Sequence, residues 1–296
     1  MGVTGRRVPA QERPAPFAST ARGGPGRNAL ASAGRMRHGR PVNAAPGRPT
    51  ALITGVGRRI GVGAAIAGRL ASDGWDVATC HWLPYDDRMP WGSQPGDPEW
   101  IAASMRAAGA RTLAVAADLS GVEAPAQLFD AVEAQLAPVT ALVLCHCESV
   151  DSGLLDTTVD SFDRHFAVNA RASWLLIAEF ARRYRGAPGA GRIVALTSDH
   201  TAGNLPYGAS KGALDRIVVA AATELAHLRI TANVVNPGPV DTGWMSAAQL
   251  DAITAGNPRG RAGRPADTAA LVSFLCSPEG DWINGQLLHS DGGLRT

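Results

Sequence analysis

No apolar run in this 296-residue chain approaches the ~20 residues that a membrane-crossing helix needs. The sequence therefore gives no reason to place it in a bilayer. Cysteine is scarce as well. Cys80, Cys145, Cys147 and Cys276 form no disulfide framework, so a reduced, cytoplasmic setting is the economical inference. Acidic residues are nearly missing from the first 48 positions, where Glu12 alone stands against nine arginines. That stretch also lacks apolar periodicity, and it cannot bury enough surface to offset the entropy of ordering it. Residues 1–48 are expected to be a disordered Arg/Pro/Gly-rich arm, or sequence upstream of a start at Met36. A transit peptide or a nucleic-acid-touching tail shares its basic bias. Its prolines and glycines oppose an amphipathic helix, nothing aromatic or repetitive supports RNA binding, and it has no apolar core for a secretory signal. Without the arm the chain carries about −6 against +2 overall, which gives no electrostatic reason to expect nucleic acid.

The remainder, residues 49–296, suits one large domain. Apolar strand-like runs occur at 50–54, 76–82, 111–118, 140–147, 192–198, 230–236 and 285–290. Between them, residues 64–74, 98–109, 124–137, 160–184, 207–228 and 266–277 carry helical patterns, and a long Pro/Trp-rich loop follows the second strand. Continuous apolar strands alternating with helices mean a sheet covered on both faces. The expectation is α/β: a single doubly wound Rossmann domain with a mostly parallel seven-stranded sheet. Its ligands belong beyond the carboxyl ends of the strands.

Directly after the first strand comes TGVGRRIGVGAAIA. Gly55, Gly57, Gly61 and Gly63 permit tight turns and close approach of a diphosphate to the backbone. The helix that follows adds free N–H groups and the positive end of its dipole. A glycine loop in this strand-loop-helix context points to a dinucleotide. Further on, Tyr207 and Lys211 stand four apart at the start of a helix, hence on one face. An ammonium there favours the phenolate of a tyrosine whose ordinary pKa of ~10 is too high for acid–base work at neutral pH.

With a TGxxxGxG-like loop and a YxxxK pair, the chain resembles the short-chain dehydrogenase/reductases, closest in flavour to 3-oxoacyl-carrier-protein reductase-like members, over residues 50–296. Two registers fit the glycines. Thr54-Gly55 and Gly61-x-Gly63 match with two extra residues between them, or Gly57 opens a correctly spaced GxxxGxG. The resemblance implies an NAD(P)-dependent oxidoreductase that moves hydride between NADP(H) and a carbonyl or secondary alcohol. In that family role Tyr207 exchanges a proton with the substrate oxygen and Lys211 also bonds the nicotinamide ribose. Ser198, ending the fifth strand, would hold the oxygen, and Asn169 in FAVNARAS would support a water in the proton relay. Asp118 falls where relatives bond adenine, although composition alone makes it an ordinary helix-capping acid. Pro237 and Gly238 in NPGPVDTGW match the family's cofactor-contacting Pro-Gly loop, and Thr242 falls where relatives hold the nicotinamide carboxamide. A homo-dimer or homo-tetramer is implied too, and small residues such as Ala209, Gly212 and Ala220 would let helices pack closely across a two-fold axis.

For the cofactor, an acid at the end of the second strand would favour NAD(H) by bonding the ribose 2′-hydroxyl. That place holds His81 and Trp82, with no acid until Asp86. Arg58 and Arg59 in the glycine loop would instead pair a 2′-phosphate, unless they are simply solvated. NADP(H) is therefore favoured, with NAD(H) as the alternative. Two departures from the family stand out. Only nine positions separate Ser198 from Tyr207, a shorter loop than usual, and Thr197 or Thr201 are alternative hydroxyl donors. The family's Asn-Asn-Ala-Gly reads Leu144-Cys145-His146-Cys147 here. Alternation along a strand would point the two thiols away from the imidazole, and no second cluster supplies further ligands, so a zinc site is not expected. The altered strand favours a second reading, a catalytically silent NADP-binding sensor or scaffold; the full set Asn169, Ser198, Tyr207 and Lys211 opposes it. Trp244 and Met245 would form an apolar lid or merely pack. Residues 83–98, with Tyr85 and Trp91, would border the substrate mouth or an oligomer contact. No charged cluster marks a preferred acidic substrate.

Overall fold

All five residues of β1 (Thr50–Thr54) are buried, because the strand runs through the middle of a sheet covered on both faces. The structure, a computed structural model, describes residues 47–294. Alternation along β1 sends Ala51 and Ile53 into one core layer and Leu52 into the other. β2 (Asp76–His81) and β4 (Val139–Leu144) flank it, and the full order is β3-β2-β1-β4-β5-β6-β7. Here β3 is Thr112–Ala116, β5 Arg192–Leu196, β6 Thr231–Asn236 and β7 Leu287–His289. Every neighbouring pair is parallel, so the sheet is wholly rather than mostly parallel.

On one face lie α1 (Val62–Ser72), α3 (Asp97–Ala107) and α9 (Pro265–Cys276), which bury Ile66, Leu70, Met105, Val272 and Leu275. On the other lie α4 (Ala124–Gln135), α6 (Ala172–Arg183) and α7 (Leu205–Glu224), with Phe129, Leu176, Phe180 and Val218. Each such side chain contributes about 2 kcal/mol of burial. The direction of winding changes between β1 and β4, and that opens a crevice at the carboxyl ends of the strands.

Five local features depart from the expected pattern. β4 stops at Leu144 rather than running to Cys147, because the Cys145 N–H turns to the Thr54 hydroxyl (3.2 Å). The loop after β2 contains a short helix, α2 (Leu83–Asp87), and the loop after β6 contains α8 (Ala247–Gly256). The long helix expected over 160–184 is α5 (Val159–His165) and α6 joined by a π-helical turn, Phe166–Arg171. Arg48, expected in the arm, is part of the fold: it donates to the Ala71 and Trp75 carbonyls and pairs with the buried Asp76 at 3.4 Å. Residues 1–46 of the expected arm lie outside the described residues.

Candidate active site

A cavity of about 580 Å³ opens at the carboxyl ends of the strands, bordered by the glycine loop on one side and the start of α7 on the other. Gly55 leaves β1 with φ +73°, and a Cβ there would lie 2.6 Å from the Cys145 and His146 backbone. A Cβ on Gly63 would lie 2.7 Å from the Gly55 carbonyl oxygen. Both are therefore glycine by steric need, and α1 packs directly on the strand exit. Between them, the Gly61 N–H turns back to the Arg58 carbonyl (3.0 Å). Gly61 caps α1 without any side-chain hydrogen bond, which leaves the positive end of the helix turned to the cavity for an anion.

Tyr207 sits in the first turn of α7 and Lys211 one turn on, its Nζ 5.7 Å from the phenol ring centre. Lys211 donates to the Leu196 carbonyl at 2.9 Å, which fixes it under the end of β5. Ser198, two residues beyond β5, borders the same cavity. Burial pushes the Tyr207 phenol above its ordinary value; Cys147 adds to this, and the hydrogen bond with Ser198 opposes it. The same burial holds Lys211 below its usual range, against the pull of Cys147, Cys145 and Asp215. The shortened loop between Ser198 and Tyr207 folds flat on α7 because position 208 is glycine; a Cβ there would overlap the His200 carbonyl. Ser198 and Tyr207 consequently meet despite the short connection. Thr197 borders the cavity too, whereas Thr201 does not.

Asn169 is fully buried within the π turn and is not on the cavity wall. Its side-chain amide accepts from the Glu148 N–H (2.7 Å) and donates to the Glu148 carbonyl (2.9 Å) and to Ser210 (2.8 Å). It thus clamps the chain leaving β4. His146 does a related job one step earlier. Its Nδ1 meets the Thr54 hydroxyl at 2.6 Å and its Nε2 the Val168 carbonyl at 3.0 Å. A carbonyl only accepts, so Nε2 carries the proton and the neutral ring satisfies both contacts. Burial, reinforced by the Lys211 charge, lowers its pKa to about 3. Because β4 has ended, simple alternation does not govern this segment: Cys145, His146 and Cys147 all reach the cavity wall. Burial raises Cys145 to about 12, so the thiol is protonated at neutral pH. Among the described residues no group of three or more His, Cys, Asp or Glu side chains is arranged to hold a metal ion.

The other residues picked out from the sequence divide in two. Arg58, Asp118, Pro237, Gly238 and Thr242 border the cavity. Arg59 does not: it pairs with Asp97 at 2.6 Å and lies over the Trp100 ring at 4.9 Å. Arg58 itself is heavily engaged, donating to the Thr242 carbonyl (2.9 Å), 4.0 Å from Asp86 and over the Trp91 ring at 5.0 Å. Asp118 accepts from the Ser120 N–H and lies 3.6 Å from Arg164, and hydrogen bonds from both hold its carboxyl below the usual range although burial works the other way. Several lining residues were not picked out as site residues, among them Asp86, Glu148, Gln249 and Ile253. Glu148 is the buried carboxylate shared by Arg88 (2.9 Å) and Arg164 (3.2 Å).

The sequence profile of a family described as enoyl-(acyl carrier protein) reductase matches residues 55–295. The uncharacterized oxidoreductase YjdA of Bacillus subtilis is 35% identical over 252 residues, 82% of this chain and 96% of that one. This chain belongs to the short-chain dehydrogenase/reductases. A chloroplastic NADPH-dependent aldehyde reductase-like protein of Arabidopsis thaliana is 34% identical over 260 residues, 82% of this chain and 93% of that one. Among solved structures, a short-chain dehydrogenase from Burkholderia cenocepacia in complex with NADP superposes with a TM-score of 0.75 at 34% identity, covering 84% of this chain and 98% of its own. The protein is thus an oxidoreductase of this family with a site shaped for a nicotinamide dinucleotide. No helix among the described residues is long and apolar enough to cross a membrane.

Proposed function

We propose that the protein reduces a carbonyl compound with NADPH, and catalyses the reverse oxidation of the secondary alcohol, using Tyr207 as the acid–base group. The observation that carries this reading is the convergence of Ser198, Tyr207 and Lys211 on the one cavity that the glycine loop also borders. Bound NADPH would supply the hydride. Gly55, Gly61 and Gly63 would hold its diphosphate at the start of α1, Arg58 its 2′-phosphate, Asp118 its adenine, and Pro237, Gly238 and Thr242 its carboxamide. As charge develops on the substrate oxygen, Ser198 donates a hydrogen bond to it and Tyr207 Oη delivers its proton. Burial raises the phenol above its ordinary value, opposite to the lowering expected of a Tyr-Lys pair, so Tyr207 enters the reaction protonated. Lys211, with Nζ 5.7 Å from the ring centre, would steady the phenolate left behind.

A relative solved with NADP and another named for NADPH support the phosphorylated cofactor over NAD(H). The wall around Tyr207 includes Tyr85, Trp244, Met245 and Ile253, which favours an apolar ketone or aldehyde. The bridge that His146 makes between Thr54 and Val168 at the altered β4 supports this reading over a catalytically silent sensor or scaffold. Four free cysteines fit a reduced, cytoplasmic setting. The helices over 160–184 and 207–228 supply the faces for a homo-dimer or homo-tetramer.

The test is Tyr207→Phe. NADPH affinity, followed by nucleotide fluorescence, should stay within about threefold, while turnover of a ketone and aldehyde panel falls by about 10²-fold or more. Undiminished turnover in the Phe variant, or a wild type that binds no nucleotide, would overturn the reading.

A further inference from the structure

The structure brings a carboxylate to the place where sequence shows none. β2 ends at His81, and α2 then turns the chain back so that Asp86 faces the glycine loop. A Cβ placed on Gly57 would lie 3.1 Å from Asp86 Oδ2 and 3.9 Å from the His81 Cβ. Asp86 therefore stands beside the end of β2 and above the glycine loop, and it borders the cavity. Its two oxygens are used differently. Oδ1 accepts from the Trp91 indole N–H at 2.8 Å and lies 4.0 Å from Arg58. Oδ2 is the oxygen turned to Gly57, and no described residue donates to it. His81, in the usual place of the discriminating acid, brings no charge; burial lowers its pKa, and its Nδ1 is buried without a partner. Arg59 is committed to Asp97. Beside the end of β2 the cavity wall thus sets Arg58 and Asp86 4.0 Å from each other.

We infer that Asp86, paired with Arg58, is the residue that sets how strongly this protein distinguishes NADP(H) from NAD(H). This rests on the dinucleotide reading above and deepens it. Arg58 attracts a 2′-phosphate, while the Asp86 carboxylate repels the same group and offers Oδ2 to a 2′-hydroxyl. The two effects oppose one another, so the wild type prefers NADPH only modestly and also accepts NADH. A unit charge about 4 Å from a phosphate changes affinity by roughly fivefold at the dielectric of bulk water and by more as the dielectric falls, so a change of about tenfold or more is expected at a cavity wall.

The experiment is a fluorescence titration of the full chain with NADPH and NADH, for wild type, Asp86→Asn and Asp86→Ser, with melting temperatures taken alongside. Asn keeps an acceptor for the Trp91 N–H and removes only the charge, and Ser serves should the buried amide disturb the fold. The expected result is a preference for NADPH over NADH that rises about tenfold in both variants, mostly through tighter NADPH binding. A preference unchanged within twofold in variants that melt like the wild type would overturn the inference, leaving Asp86 as no more than an anchor for Trp91. A preference that moves toward NADH would overturn it too. A wild type that binds neither nucleotide would instead overturn the dinucleotide reading itself.

Discussion

His146 shows how one side chain can replace a family motif. It ties the exit of β1 to the π turn through Thr54 and Val168, the same region that the family's Asn-Asn-Ala-Gly steadies. The arrangement carries a pH signature. The folded ring takes a proton only near pH 3, whereas an unfolded histidine does so near pH 6.5. Between those values the unfolded state binds the extra proton, so stability is complete above about pH 6.5 and is lost as pH falls. The slope from this residue alone approaches ~1.4 kcal/mol per pH unit. Urea unfolding between pH 6.5 and 4 should show that slope diminished in His146→Asn, and equal slopes would disprove the assignment. Lys211 is also singular: it is the chain's only lysine. Its compact ammonium reaches the Leu196 carbonyl beneath β5, where a planar guanidinium would need a wider slot. Tyr207 and Lys211 were legible because a four-residue spacing is itself helix geometry. The directions of Arg59 and Asn169 were not, since Asp97, Trp100 and the Glu148 backbone set them from distant parts of the chain.

Three segments that border the cavity pack on one another. Trp91, in the connection between β2 and α3, stacks on Trp244 beyond β6, with ring centres 4.9 Å apart and planes 9° from parallel. Arg58 of the glycine loop lies over the same Trp91 and holds the Thr242 carbonyl. Three segments that each border the cavity are thereby fastened together. A stacked aromatic pair contributes roughly 1 kcal/mol beyond its buried area. Trp91→Ala should therefore speed NADPH release by about fivefold and raise KM more than it changes kcat, as read by stopped-flow fluorescence and steady-state kinetics. Trp91→Phe, which keeps a ring but not the bond to Asp86, should release NADPH at nearly the wild-type rate. Equal release from all three proteins would show that the stack holds nothing down. The short helix α8 has a readable signal in its capping residues rather than in apolar periodicity. Ser246 and Gln249 form a capping box, the S-x-x-Q spacing that opens a helix. The π turn had none, because residues 160–184 keep one helical pattern and the extra residue shows only in how Asn169 is bonded.

At the scale of the whole molecule, the fold was legible because the central strands are largely apolar on both faces and the helices packed on them bury one face. That arrangement allows little besides a parallel sheet between two helical layers. The same logic marks a face that the monomer leaves uncovered. Trp174 is 53% exposed on α6, and Phe162 on α5 and Val219 on α7 are more than a third exposed. Phe166, Trp174 and Ile217 line a shallow groove between these helices, with Asp163 and Arg171 at its rim. Exposed tryptophan and phenylalanine beside small residues, with an acid and a base in the same groove, would suit a self-complementary contact about a two-fold axis. Full-length protein should therefore sediment as a dimer or larger at micromolar concentration. Trp174→Glu would set a charge in the middle of the contact and should raise the dissociation constant by about 30-fold or more, with circular dichroism and melting of the monomer little altered. A wild type that sediments as a monomer, or a Trp174→Glu variant that assembles as tightly as wild type, would show that this face is not where copies of the chain meet.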